Sequence, residues 1–469
     1  MPNTLAYLML MAWPVVCLIL FRRLCLERAI IWSLLGGYLL LPPRAEFDFP
    51  LVPDFDKTSI PSLCALAFCL LIARRSLPVW PDSRVMRVLL FLFVAGAVPT
   101  VLTNSDPIVF GAESVGPVSQ QSGRLPGLRV IDVLSVISGK IITIIPFLLG
   151  RAFLSSDRGL RELLLALAVG GLAYSLPALV EVRLSPQLNT WIYGFFQHNF
   201  AQMMREEGFR PLVFLPHALW LAFFLMTAAV SSAVLARCSD GVMRGRFLAA
   251  TVYLLFVLVL CKSLAPMLYA MTLVPLLLFS GPRLQVRLAV LFAFVAVLYP
   301  VLRDHDLVPL EAILGWADAI NPDRAQSLGF RFENEEQLLE RAEEKRLFGW
   351  GGWGRNLVRD PGTGEIVSIP DGEWIIAFGT YGWVGYASLM GLLAGPVVIL
   401  WRRMAPNAVS RHVAALALIL AITMVDMLIN AILTPYTWLI AGALLGYCER
   451  DRRADTAAAR APRRRQHAI

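Results

Sequence analysis

Thirteen apolar runs, separated by short polar connections, set the first constraint on this chain of 469 residues. With soft edges they lie at 5–21, 29–43, 59–73, 88–103, 130–153, 161–182, 211–235, 247–262, 264–280, 288–303, 372–400, 413–431 and 434–448. A helix of about 17–25 apolar residues covers the hydrocarbon core of a bilayer. No water-soluble fold could bury so many runs of this length. Hydrophobic residues make up 57% of the chain and charged residues 16%, where a soluble domain is about half apolar and a quarter charged. The same balance excludes a disordered chain. The expected architecture is an all-α polytopic membrane protein with about 12–13 transmembrane helices. About ten spans fall in 1–303, a large and partly helical loop in 304–372, about three spans in 373–448, and a basic tail in 449–469.

Orientation follows from the arginines. Alternate connections hold Arg22, Arg23 and Arg28; Arg74, Arg75, Arg84 and Arg87; Arg151, Arg158 and Arg161; Arg237, Arg244 and Arg246; Arg283 and Arg287; and Arg402, Arg403 and Arg411. Arg450, Arg452, Arg453, Arg460, Arg463, Arg464 and Arg465 follow in the tail. These are 25 of the 42 basic residues, all in short segments on one side, which the positive-inside rule makes the cytoplasm. The N-terminus is then outside and the C-terminus inside. Met1–Thr4 carries no basic side chain, so the first run is expected to remain as a span. Scattered basic clusters of this kind are a topology signal, and they exclude nucleic acid as a partner. The seven cysteines sit in or beside apolar runs, with no pattern for a disulfide framework or zinc.

The inner connections are too short for a nucleotide-binding domain, whereas the outer face holds 44–58, 104–129, 183–210 and above all 304–372. Chemistry is therefore expected outside. The loop 304–372 is more acidic than basic, and Glu333–Arg346 reads as a helix with Leu338, Leu339 and Ala342 as its apolar stripe. A glycine-rich turn follows, with Trp350 and Trp353, whose faces suit either sugar rings or the headgroup belt. Pro370-Asp371-Gly372-Glu373-Trp374 then precedes a long span in which Gly379, Gly382 and Gly385 suit tight helix packing.

The second outer constellation is Gly208-Phe209-Arg210-Pro211 with Pro216-His217, expected one or two turns into the next span. Arg210 there reads as facing a polar cavity or as a snorkelling anchor. Lys140, Asp132, Glu181, Asp426 and Lys262 fall in or beside apolar runs, where they are explained by buried pairs or by an ion-coupled transport path. Glu46, Asp48, Asp54 and Asp56, and again Asp304-His305-Asp306, alternate as cation ligands can. No hydrolase elbow, P-loop or HExxH motif is present.

Taken in order, Gly-Phe-Arg-Pro entering a span, Pro-His after it, Arg331 ahead of a helix, Leu-Phe-Gly-Trp-Gly, and Asp371 eleven positions before Gly382-Trp383-Val384-Gly385 resemble the O-antigen ligase and O-antigen polymerase superfamily. The resemblance covers mainly 175–220 and 325–390. The stretch Glu181…Tyr193-Gly194…Arg210-Pro211 is similar to members associated with exopolysaccharide polymerisation. These are all-helical, C-type glycosyltransferases of the bacterial inner membrane. The resemblance implies an inverting transfer on the periplasmic face, without a metal or other cofactor. The donor would be an undecaprenyl-diphosphate-linked glycan and the acceptor a glycan or lipid, with membrane lipids and polysaccharide export or chain-length proteins as partners. It implies that Arg210 and Arg331 hold the diphosphate, with His217, Trp350 and Trp353 as further substrate contacts. The base is Asp371 or Glu373, because Asp371-Gly372 stands where ligases carry His-Asn, a departure that favours polymerase over ligase. A lipid-linked glycan transporter is the other class, but it is expected to show internal repeats, and none is evident.

Overall fold

The computed structural model of the chain describes residues 1–49, 52–111, 123–205, 208–320, 322–404 and 409–460. Every one of the thirteen apolar runs falls on a helix. α1 (Thr4–Arg23) and α2 (Leu26–Leu40) form a hairpin closed by α3 (Ser59–Leu71). α4 (Arg84–Ala95) continues past Gly96 into α5 (Ala97–Leu102). Next come α6 (Asp132–Phe153), α7 (Asp157–Leu184) and the short α8 (Leu188–Tyr193). α9 (Ala218–Arg237), α10 (Gly241–Leu260), α11 (Leu264–Phe279) and α12 (Pro282–Asp304) follow. α13 (Leu310–Ile320) and α14 (Pro322–Glu343) belong to the long loop, and α15 (Glu373–Arg403), α16 (Arg411–Asp426) and α17 (Pro435–Arg460) complete the bundle. Among the described residues, strand is confined to two antiparallel pairs, Ile108–Val109 with Arg124–Leu125 and Met204–Arg205 with Gly208–Phe209.

Among the described residues, eight helices are long and apolar enough to cross a membrane: α1, α4 with α5, α6, α7, α9, α10, α12 and α15. α3 and α11 are shorter apolar helices. This is the composition of a multi-pass membrane protein. α9 is the axis of the bundle, with 89% of its apolar window buried inside the protein, and nearly all of α16 is buried as well. Because lipid is as apolar as leucine, contact between such helices depends on close packing. The α6–α17 seam shows how: Gly150, Gly442 and Gly446 let each helix lie against the backbone of the other.

The arginine-rich ends are more than a topology signal. Arg151 is buried, donating to Glu449 Oε2 at 2.8 Å and to the carbonyls of Pro78 and Trp80 at 2.6 Å each. Arg28 pairs with Glu162 at 2.8 Å. α17 runs into the basic tail as far as Arg460, and Arg463, Arg464 and Arg465 lie outside the described residues.

Three local expectations are corrected. The loop helix begins at Pro322, well before Glu333, and ends at Glu343. Proline at a first helical position has no amide hydrogen to leave unpaired, which suits it to open that helix. The expected stripe is buried, with Leu338 at 3%, Leu339 at 7% and Ala342 at 0% exposure. The span expected from 211 instead starts at Ala218, with His217 as its N-cap. α15 is also broken at Gly382, whose φ is 62° and ψ −164°.

Candidate functional site

The stretch from Arg210 to His217 is excluded from helix by Pro211, Pro216 and a left-handed Val213 at φ 55°. Its backbone polar groups, deprived of helical partners at the end of an apolar bundle, must be satisfied in some other way. Glu181 does most of this. Its Oε2 accepts the amides of Leu212 and Val213 at 2.7 Å each, and its Oε1 accepts that of Leu188 at 3.0 Å. The Tyr174 hydroxyl accepts the Phe214 amide at 2.9 Å. Gln197 donates to the Val213 carbonyl at 2.9 Å and Lys57 to that of Phe214 at 2.9 Å.

Arg210 enters this frame through its amide, which donates to the Met203 carbonyl at 2.8 Å. Its side chain is buried at 4% exposure, so it does not snorkel, and Nη2 donates to Ser263 Oγ at 2.9 Å. Ser263 stands in the break between α10 and α11, where Lys262 donates to the Arg205 carbonyl at 2.8 Å. His217 caps α9 by accepting the Leu219 amide on Nδ1 at 3.0 Å. The ring proton must then sit on Nε2. Burial, together with Arg210, His198, Arg331 and Arg205, pushes its pKa down to about 3, so His217 is neutral and a donor at ordinary pH.

Arg331 is delivered from the opposite side by α14, and Glu335, one turn further on, anchors that helix. Its Oε1 accepts the Tyr299 hydroxyl at 2.9 Å and Arg303 Nε at 3.1 Å, and its Oε2 accepts Trp374 Nε1 at 3.1 Å. Glu336 adds a second contact to Arg303, and Asn334 Oδ1 accepts the Ile369 amide at 2.7 Å. α14 is thereby tied to α12, to α15 and to the strand-like approach of 369–371. Arg331 Nη1 then reaches the Ile429 carbonyl at 2.9 Å and Asn430 Oδ1 at 3.0 Å, and its Nε lies 3.6 Å from Asp371 Oδ2.

These pieces enclose a cavity of about 710 Å³, whose lining includes Arg205, Arg210, Arg331, His198, His217, Asp371 and Asn430. Four of the seven side chains expected from the sequence thus share one space: Arg210, Arg331, His217 and Asp371. It lies where α7, α10, α12 and α16 end and α9, α11 and α15 begin, away from the arginine-rich connections. Three arginines against one carboxylate make it cationic. Burial raises the pKa of Asp371, and Arg331 pulls it back down.

The other three expected residues lie elsewhere. Glu373 is not part of the lining, and the nearby charge acting on it is Lys140 of α6. Trp350 is a structural ring: Arg341 stacks 3.4 Å from its centroid and its Nε1 donates to the Arg341 carbonyl at 2.7 Å. Trp353 lines a separate space of about 320 Å³ with Lys140 and Tyr381. Their turn repairs the break in α15. The amides of Trp383 and Val384 donate to the Arg346 and Leu347 carbonyls at 2.7 and 3.2 Å, while those of Trp350 and Gly351 donate to Gly379 and Thr380 at 2.9 Å each. Gly382 sits against the Leu347 carbonyl, so the glycine spacing serves this crossing of loop and helix.

The five internal charges also find local partners. Glu181 and Lys262 hold backbone as described, and Asp132 accepts the Arg129 amide at 2.7 Å. Lys140 lies 3.5 Å over the Tyr381 ring, and Asp426 accepts from Asn430 at 3.1 Å. None of them lines the cavity. Among the described residues no three His, Cys, Asp or Glu side chains gather as metal ligands would. Asp56 instead caps α3, accepting the amides of Thr58 and Ser59 at 2.8 Å each.

His198, Arg205 and Asn430 are the cavity residues that sequence reasoning missed. His198 packs edge-on to His217 with ring centroids 4.5 Å apart, and burial is the first cause of its lowered pKa. Gly208-Phe209 pairing back on Met204-Arg205 is what brings Arg205 round. No protein-family model matches the chain, and no curated protein matches its sequence.

Proposed function

We propose that the chain is a glycosyltransferase of the bacterial inner membrane, with the cavity on the periplasmic side, that transfers or polymerises undecaprenyl-diphosphate-linked glycan units. The observation that carries this reading is the single cavity in which Arg210 and Arg331, from segments more than a hundred residues apart, face a carboxylate and a neutral histidine. A lipid diphosphate carries concentrated negative charge, and guanidinium forks match its oxygens bidentately. Both arginines are pre-positioned, Arg210 by Ser263 and Arg331 by Ile429 and Asn430, so little reorganisation is needed as charge develops.

In the proposed step the acceptor hydroxyl oxygen attacks the anomeric carbon of the donor glycan from the face opposite the phosphate. The bond from the anomeric carbon to the phosphate oxygen breaks, and its electron pair leaves with the diphosphate toward Arg210 and Arg331. The hydroxyl proton passes to the Asp371 carboxylate. Asp371 is preferred to Glu373 because it lines the cavity. His217, fixed as an Nε2 donor, contacts an oxygen of the donor and takes no proton. The cavity lies at the end of the bundle without the arginine clusters, which agrees with the positive-inside assignment of the opposite end to the cytoplasm.

The test supplies purified protein in lipid with an authentic undecaprenyl-diphosphate-linked repeat unit and follows free carrier and product length. A ladder of multimers with carrier release is the expected result. Single transfer to an added lipid acceptor identifies a ligase instead. Absence of carrier release with that donor overturns the transferase reading in favour of transport.

A further inference from the structure

At the opposite end of the bundle, the start of α12 and the last turn of α15 enclose a space of about 440 Å³ lined by Arg283, Arg287, Trp401, Arg402 and Met404. Arg283 and Arg287, four residues apart, share one face of α12. Among the described residues no carboxylate lines the space, and none of the three guanidinium groups makes a hydrogen bond or ion pair to a described residue. Three other arginines at this end are instead held by the protein: Arg151 by Glu449, Arg28 by Glu162, and Arg403 by the Cys448 carbonyl. The start of α12 adds to the imbalance. Its N-cap, Gly281, offers no side chain, Pro282 opens the first turn, and no acid follows in that turn, so the positive end of the helix faces the same region.

Three cations and a helix N-terminus converging without a counter-charge make an anion site. The apolar neighbours decide which anion. Trp401, which lines the space, is 44% exposed, and Phe279 and Leu284, close to Arg283 in the chain, are 84% and 47% exposed, which puts a tryptophan suited to headgroup depth together with apolar surface suited to acyl chains. We propose that this space binds the phosphate headgroup of an anionic phospholipid, held between α12 and α15. Arginine forks take its phosphate oxygens bidentately, and a zwitterionic lipid is disfavoured because its own ammonium meets the arginines. Basic pockets between spans are known to select lipids in this way. The proposal does not depend on the transfer reaction.

Protein in mild detergent is incubated with phosphatidylglycerol, diphosphatidylglycerol or phosphatidylethanolamine, with and without inorganic phosphate, and retained lipid is counted by native mass spectrometry. The anionic lipids are expected to persist where phosphatidylethanolamine does not, and phosphate is expected not to displace them. Retention should weaken roughly fivefold for each arginine replaced along the series to Arg283→Gln/Arg287→Gln/Arg402→Gln. It should be unchanged in Arg244→Gln/Arg246→Gln at the exposed start of α10. If the triple variant does not purify as one species, the single variants Arg287→Gln and Arg402→Gln give the same reading. Equal retention of the two lipid classes, or no loss in the variants, overturns the proposal. Full displacement by phosphate overturns it in favour of a free-anion site.

Discussion

Two non-helical segments that each join arginine, glycine and aromatic residues lie at the same end of the bundle, and they do opposite things. In 208–217 the backbone is held by Glu181, Tyr174, Gln197 and Lys57, which leaves Arg210 and His217 to line a cavity. In 346–354 the backbone itself is the partner, pairing with the break at Gly382, and Trp350 is covered by Arg341. Residue types alone rank the two alike, since both join Arg, Gly and aromatics beside a span. The difference is whether other side chains satisfy the segment's backbone and leave its own side chains to face open space.

The sharpest way to break this contrast is Asp371→Asn. If the 208–217 side of the molecule performs the chemistry, this variant folds as the parent does and loses about 100- to 10,000-fold in the rate of carrier release. Glu373→Gln, two residues away but outside the cavity, should change that rate far less. Equal losses in the two variants would put the reacting centre between them and undo the assignment to the cavity.

Next in size is Arg331→Gln, which on the proposed mechanism removes a cation aimed at the leaving group and should cost about 100- to 1,000-fold. It carries a second readout. Arg331 holds down the pKa of Asp371 against the upward push of burial. Without the cation, Asp371 stays protonated to a higher pH. The acid limb of the rate profile should therefore move to higher pH, a shift that a purely structural arginine would not produce.

What the sequence made legible divides along the same line. The thirteen apolar runs each fall on a helix, because span length and hydrophobicity are local properties. Arg210, His217, Arg331 and Asp371, singled out in the sequence by their order and neighbours, line one cavity. Glu373 was not separable from Asp371, since only the position of Asp371 ahead of the first turn of α15 turns it toward Arg331. His198 and Asn430 were silent for a related reason. His198 joins the site by packing on a ring 19 positions away, and Asn430 by a bond to Arg331 spanning 99 positions. Trp350 and Trp353 lie outside that cavity, and Trp350 shows why residue type does not place a ring: a face that can stack on a sugar can equally stack on Arg341.

The 346–354 side gives the converse prediction. Gly382→Ala places a Cβ against the Leu347 backbone at a φ that L-residues rarely adopt. A strained position of this kind costs about 1–3 kcal/mol. Thermal inactivation should come at lower temperature while carrier release per folded molecule stays near the parent value. A large loss of specific activity with normal stability would instead place this turn in the reaction.

The smallest effect expected is also the most specific to the cavity. His217 is half-buried and neutral, with a pKa near 3, whereas in the unfolded chain it titrates near 6.5. Between those values the unfolded chain binds the extra proton and the folded one does not, so stability falls as pH drops from about 6.5 toward 3. His217→Gln can still accept the Leu219 amide through its side-chain oxygen, and it removes the titration. Its melting temperature should therefore decline less steeply than the parent's below pH 6.5 and match it in slope above. An unchanged slope would mean that His217 is charged in the folded protein. It would then be a fourth cation in the cavity, and the distinction between donor and proton acceptor there would have to be redrawn.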